Sequence, residues 1–146
     1  MIMTENKKDP GAGVVLLQVL DNEVHVLGLC CTDEYFDLPK GMQEKDESKI
    51  ECAMRECWEE TKITDAVFFE DIQPLKLSPL TLFIGTSAEN AQITANPTTG
   101  IIEHVYAQWL PLKSAAFFMK PYLRPAIRWA REIVEDWNLI EDLKHV

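Results

Sequence analysis

The stretch from Ser48 to Ile63 limits what this chain can become more than any other. Ser48 followed by Glu51 three residues later forms a capping box and predicts a helix start at Ser48. Ile50, Ala53, Met54 and Cys57 recur at helical spacing and predict its apolar face. At ~100° per residue, Glu56, Glu59 and Glu60 then share an arc of roughly 100° on the opposite side. Like charges at these spacings repel by ~0.2–0.5 kcal/mol per exposed pair, and by more once desolvated. Two arrangements relieve that repulsion. One is a solvated face eased by Arg55 and Lys62; the other is a shared set of divalent cations, whose hard character calls for carboxylate oxygens. The helix alone leaves both open.

Around this helix the pattern is mixed. Gly13–Leu20 and His25–Cys31 read as strands joined at Asp21-Asn22, and 32–41 reads as a loop punctuated by Pro39 and Gly41. Beyond the helix, Ala66–Glu70, Thr81–Thr86 and Ile101–Leu110 read as strands. In the last of these, Val105, Ala107 and Trp109 alternate with His104, Tyr106 and Gln108. Residues 87–100 read as a loop. Pro125 opens a closing helix over about 125–136, with Ile127, Ala130, Val134 and Trp137 on one stripe. The fold class is α/β. With 146 residues the chain fits one domain over 11–146, preceded by a polar, weakly held arm over 1–10.

Charge narrows the partners. Fourteen Lys and Arg stand against 24 Asp and Glu, a net charge of -10, which disfavours duplex DNA and anionic membranes as partners. A small phosphorylated substrate held through metal ions remains compatible with that charge. No apolar run reaches the ~20 residues of a membrane span and the N-terminus has no secretory pattern, so a cytoplasmic location is expected. Cys30, Cys31, Cys52 and Cys57 form no CxxC pair and read as small, reduced core residues rather than zinc ligands.

From Gly41 the sequence runs GMQEKDESKIECAMRECWEETKI. This resembles the Nudix box, G-x5-E-x7-R-E-U-x-E-E-x-G-U, where U is a bulky apolar residue. Gly41, Glu47, Arg55, Glu56, Glu59, Glu60 and Ile63 match in register; Cys57 is a small stand-in for the first U, and Lys62 replaces the last Gly. The resemblance implies a Nudix-type α/β/α sandwich with a mixed sheet and a catalytic helix over about 48–61. It further implies a hydrolase of phosphoanhydrides in nucleoside diphosphates linked to another moiety. Magnesium, or manganese in its place, would be held by the Gly41 carbonyl and the carboxylates of Glu56, Glu59 and Glu60. Arg55 would orient Glu56 or its neighbours, and Glu47 would stand behind the metal or at its edge.

Outside the box, the run EHVYAQWLPL is similar to the family's later strand, whose leading Glu serves in many members as metal ligand or general base; here that residue is Glu103. His104 beside it reads as a half-exposed structural residue. The lead-in Leu38-Pro39-Lys40-Gly41 is similar to the dinucleoside polyphosphate, diphosphoinositol polyphosphate and cap-cleaving branches, with Lys40 as a partner for a phosphate oxygen. The first substrate expected is a dinucleoside polyphosphate such as diadenosine tetraphosphate. ADP-ribose and other nucleotide sugars, nucleoside triphosphates and capped RNA are alternatives, as is a nucleotide-sensing module without catalysis. Tyr35, Phe36 and Tyr122 could stack a base, and Lys120, Arg124, Arg128 and Arg131 gather near the closing helix. Many relatives are dimers, so a homodimer is compatible with the resemblance.

Overall fold

Strand β1, Gly11–Leu20, is the spine of the protein, and its residues divide between two cores. Ala12, Val14 and Leu16 enter one core, while Val15 and Leu17 enter the other. A strand buried on both faces needs an unbroken apolar run, which GAGVVLLQVL supplies. The computed structural model describes residues 10–95, 99–137 and 139–144. The arm expected over 1–10 lies outside the described residues except for Pro10, and so does the side chain of Trp137.

β1 turns through Asp21 and Asn22, both at positive φ, into β2, Glu23–Cys31, and pairs with it antiparallel. The segment read as a loop over 32–41 contains two short strands, β3 (Phe36–Asp37) and the start of β4 (Lys40–Met42). Pairing with β2 and β1 supplies their hydrogen bonds, and no local pattern of two or three residues could announce it. Helix α1 is Lys49–Thr61, followed by β5 (Val67–Phe68), β6 (Leu75–Leu77), β7 (Leu80–Thr86) and β8 (His104–Pro111). The sheet runs β3-β2-β1-β7-β5, with β1 and β7 parallel; β4 pairs β1, β6 pairs β7 and β8 pairs β2. Helices α2 (Arg124–Trp137) and α3 (Leu139–Leu143) close the chain. The first core lies under α1 through Cys52, Ala53 and Cys57; the second lies under α2 through Ala126, Ile127, Ala130 and Val134. This is the expected α/β/α sandwich with a mixed sheet.

Both ends of α1 follow from sequence. The Ser48 Oγ accepts the Glu51 amide at 3.2 Å while a Glu51 carboxylate oxygen accepts the Ser48 amide at 2.8 Å. At the other end Lys62 is left-handed, φ 61°, and its amide donates to the Trp58 carbonyl at 2.8 Å. Its ammonium lies 4.0 Å from the centre of the Trp58 ring. Met54, expected on the apolar face, is exposed instead. The helix rests on the sheet through Cys52, Ala53, Cys57 and Thr61, because small side chains allow closer approach to β1.

β8 corrects the alternation expected of it. The register against β2 shifts between Cys30 and Cys31, so that Cys30 faces Tyr106 while Cys31 faces His104. The bulge turns Val105 outward and buries His104, reversing the expected exposure of both.

Glu51→Ala removes one arm of the capping box and leaves the glutamate face untouched. We expect a loss of about 0.5–1.5 kcal/mol of stability, measured by chemical denaturation.

Candidate active site

The glutamates of α1 face a cleft of about 760 Å³, a size that suits a small-molecule ligand. Antiparallel pairing sets Ala12 of β1 opposite Gly41 of β4 and brings the β4 backbone against the helix. A Cβ on Gly41 would run into the Glu56 carboxylate, so glycine is what permits this contact. The Cys52 thiol also lies against the Gly41 carbonyl, at 3.5 Å. The Lys40 amide donates to Glu60 Oε1 at 3.0 Å.

Arg55 ties the acids together. Its Nε and Nη2 donate to both oxygens of Glu47, at 2.7 and 3.0 Å, and Nη2 also donates to the Met42 carbonyl at 2.9 Å. Nη1 donates to Glu56 Oε1 at 2.8 Å and to Glu59 Oε1 at 3.1 Å. The fork therefore spans the loop before the helix and two of the three helical acids. The Arg55 hydrogen bonds, aided by the Glu44 amide, pull the Glu47 carboxyl down to about 2. Glu56 and Glu60 behave oppositely. Burial raises Glu56 against the pull of Arg55, with Glu59 and Glu103 adding to the rise. Glu60 is pushed up to about 8, chiefly by burial, with Glu56 and Asp37 adding to it against the Lys40 amide and ammonium.

Across the cleft, ligand atoms of Glu60, Glu103 and His104 lie within 4.8 Å of one another. The fold thus brings Glu103, which is distant in sequence, onto the glutamate face. Lys40 is held from below: its Nζ lies 3.3 Å from Asp37 Oδ1 and 5.7 Å from the centre of the Tyr122 ring. Burial opposes its charge, but Asp37 and Tyr122 hold the Lys40 pKa above its ordinary value. Asp37 itself is buried. Burial alone would raise its pKa; His104, Lys40 and the Leu38 amide outweigh that and lower it. Sequence reasoning passed over Asp37, because one acid in an apparent loop carries no periodic or spacing signal.

Other expected residues separate. Phe36 is buried in the second core, whereas Tyr122 is half exposed beside Lys40 and Tyr35 is exposed. Lys120 lines the cleft. Arg124 donates to the Ala116 carbonyl at 3.0 Å, and Arg128 and Arg131 are exposed on α2.

The family model described as NUDIX domain matches residues 7–130, most of the chain. The chain belongs to the NUDIX family. This Nudix protein is a hydrolase acting on pyrophosphate bonds. Its fold is similar to that of a C. elegans Ap4A hydrolase in a binary complex, at 18% identity over 88% of this chain and 99% of the other, with a TM-score of 0.71. A Nudix hydrolase from M. smegmatis, RenU, is similar at 16% identity over 92% and 94% of the two chains, TM-score 0.71. The NUDIX domain of Shewanella oneidensis NrtR, complexed with ADP ribose, follows at 18% identity over 90% and 92%, TM-score 0.59. At these identities the likeness is one of fold. No curated protein matches the sequence significantly. Among the described residues no helix is long and apolar enough to cross a membrane.

The raised Glu60 pKa makes stability depend on pH. Between about 4.5 and about 8 the folded metal-free Nudix protein keeps a proton that the unfolded chain releases, so stability falls as pH rises through that window. Glu60→Gln removes the effect while keeping an acceptor for the Lys40 amide. Its melting temperature in chelator is expected to exceed that of the parent by a few degrees at pH 8, with the gain fading toward pH 4.5.

Proposed function

We propose that this Nudix hydrolase is a divalent-metal-dependent pyrophosphohydrolase of a nucleoside diphosphate linked to a further moiety, with a dinucleoside polyphosphate such as diadenosine tetraphosphate as first substrate. The observation that carries the reading is the pairing of two unlike halves on one cleft. Glu56, Glu59, Glu60 and Glu103 line it together with Lys40, whose ammonium stands beside the Tyr122 ring.

Glu56 and Glu60, one helical turn apart, would hold magnesium or manganese together with the Gly41 carbonyl and Glu59. Glu103, on the approach to β8, stands within reach of the same face. The donor set fits: hard oxygens, crowded and partly desolvated, with an excess of negative charge that a cation relieves. Bound there, the metal supplies Lewis-acid polarisation of the phosphoanhydride and orients its oxygens.

The protein's own residues do the rest. Arg55 fixes Glu56 and Glu59 and is itself braced by Glu47, so it acts on the acids rather than on substrate. Glu103 accepts the proton of the attacking water. Lys40, aimed by Asp37, takes a non-bridging phosphate oxygen as a point charge. Tyr122, half exposed at the same place, offers a face for a nucleobase. The likeness in fold to a protein named Ap4A hydrolase supports the choice of first substrate.

The test is product release from diadenosine tetraphosphate, ADP-ribose, nucleoside triphosphates and capped RNA, each with magnesium or manganese. Turnover of diadenosine tetraphosphate with the highest kcat/KM is expected. Preference for another compound would overturn the substrate. Tight nucleotide binding without turnover of any would instead support a sensing module. Glu56→Gln and Glu60→Gln are each expected to lower turnover about 10²–10⁴-fold while keeping the fold, as judged by circular dichroism. Near-normal turnover in either would mean that this face does not hold the metal.

A further inference from the structure

Beneath Lys40 the cleft wall holds three donors, of which the proposed reaction uses only Asp37, and that one only through the oxygen that aims Lys40. Cys31 of β2, Asp37 of β3 and His104 of β8 come from three neighbouring strands, and all three are buried. One ligand atom from each lies within 4.8 Å of the others. The bulge between β2 and β8 creates the group, since it sets Cys31 opposite His104 where regular pairing would present Val105. Neighbouring Cys30 enters the second core, so only Cys31 joins the set.

We propose that Cys31, Asp37 and His104 form a binding site for a transition-metal ion of the zinc class, beside the carboxylate face and chemically unlike it. A thiolate, an imidazole and a carboxylate together suit a borderline-soft ion, whereas the four glutamates suit magnesium or manganese. Tetrahedral zinc holds such donors roughly 3.3–3.6 Å apart. Asp37 Oδ2 and His104 Nε2 already stand 3.4 Å apart. Closing the pairs that include sulfur takes little more than ~1 Å, within reach of side-chain rotation.

The second sphere is in place too. Asp37 Oδ1 is occupied by the Leu38 amide at 2.9 Å and by Lys40, which leaves Oδ2 as the coordinating oxygen. Burial and the Asp37 carboxylate hold the Cys31 thiol above its ordinary range, while Lys120 favours the thiolate. Metal binding therefore forms the metal–sulfur bond as the thiol proton leaves to solvent. All three residues line the cleft, so a bound ion would be open to water.

Cobalt(II) is the probe, because a thiolate ligand gives it a near-ultraviolet charge-transfer band that carboxylates do not. The full chain is titrated with cobalt in excess magnesium, with release of protons followed in parallel. One equivalent of cobalt is expected to produce the band and release about one proton. Cys31→Ser should abolish the band and Cys52→Ser, whose sulfur lies against Gly41, should keep it. Folded His104→Gln, which retains the sulfur, should bind cobalt about tenfold or more weakly. Absence of the band in the parent, its persistence in Cys31→Ser, or undiminished binding in His104→Gln would each overturn the proposal.

Discussion

The glutamate face is organised around the fork of Arg55. Three carboxylates within little more than one turn of helix repel one another, and the protein also draws two of them out of bulk water. Arg55 offsets part of that cost through Glu56 and Glu59, and Glu47 keeps the guanidinium in place by taking two of its donors. Its bond to the Met42 carbonyl extends the same fork to β4. Glu60 receives no such help: it is not among Arg55's partners and accepts the Lys40 backbone amide instead. The acid with the least compensation is the one whose pKa rises furthest, which is what a site awaiting positive charge should show.

The sheet positions what the helix cannot. β1 accepts β4 along Gly11–Gly13, and a Cβ on Gly13 would meet the Pro39 carbonyl and Lys40. Two bare positions, Gly13 and Gly41, thus let a loop backbone lie between a strand and a row of acids. The same approach delivers the Lys40 amide to Glu60 and the Lys40 side chain to Asp37. One residue is then fixed at both ends, by its main chain to Glu60 and by its side chain to Asp37.

Legibility differed by the kind of signal. The capping box, the helix extent and the apolar stripe of α2 rest on local rules, and each was readable from residues a few places apart. The clustering of Glu56, Glu59 and Glu60 was readable because helical spacing sets it. Met54 shows the limit of periodicity, since a helix with small residues on one side can roll toward them when that brings it closer to the sheet. β3, β4 and β6 are two or three residues long and exist through their partners, so no window of sequence contains them.

By itself, the sequence determined a mixed α/β chain with an acidic helix of set register, and the acids and arginine that must act together. Those features follow from helical geometry, where neighbours in space are three or four apart in sequence. Only the tertiary structure decided that Glu103 faces Glu60, that Asp37 aims Lys40, and that a bulge buries His104 beside Cys31. These contacts join residues 3 to 73 positions apart: the first sets a helix residue against the approach to β8, and the pairing of Cys31 with His104 exists because separate strands meet in one sheet. Pairing across strands depends on the register that the whole core selects, and a single residue of slip in β8 would turn His104 away from Cys31.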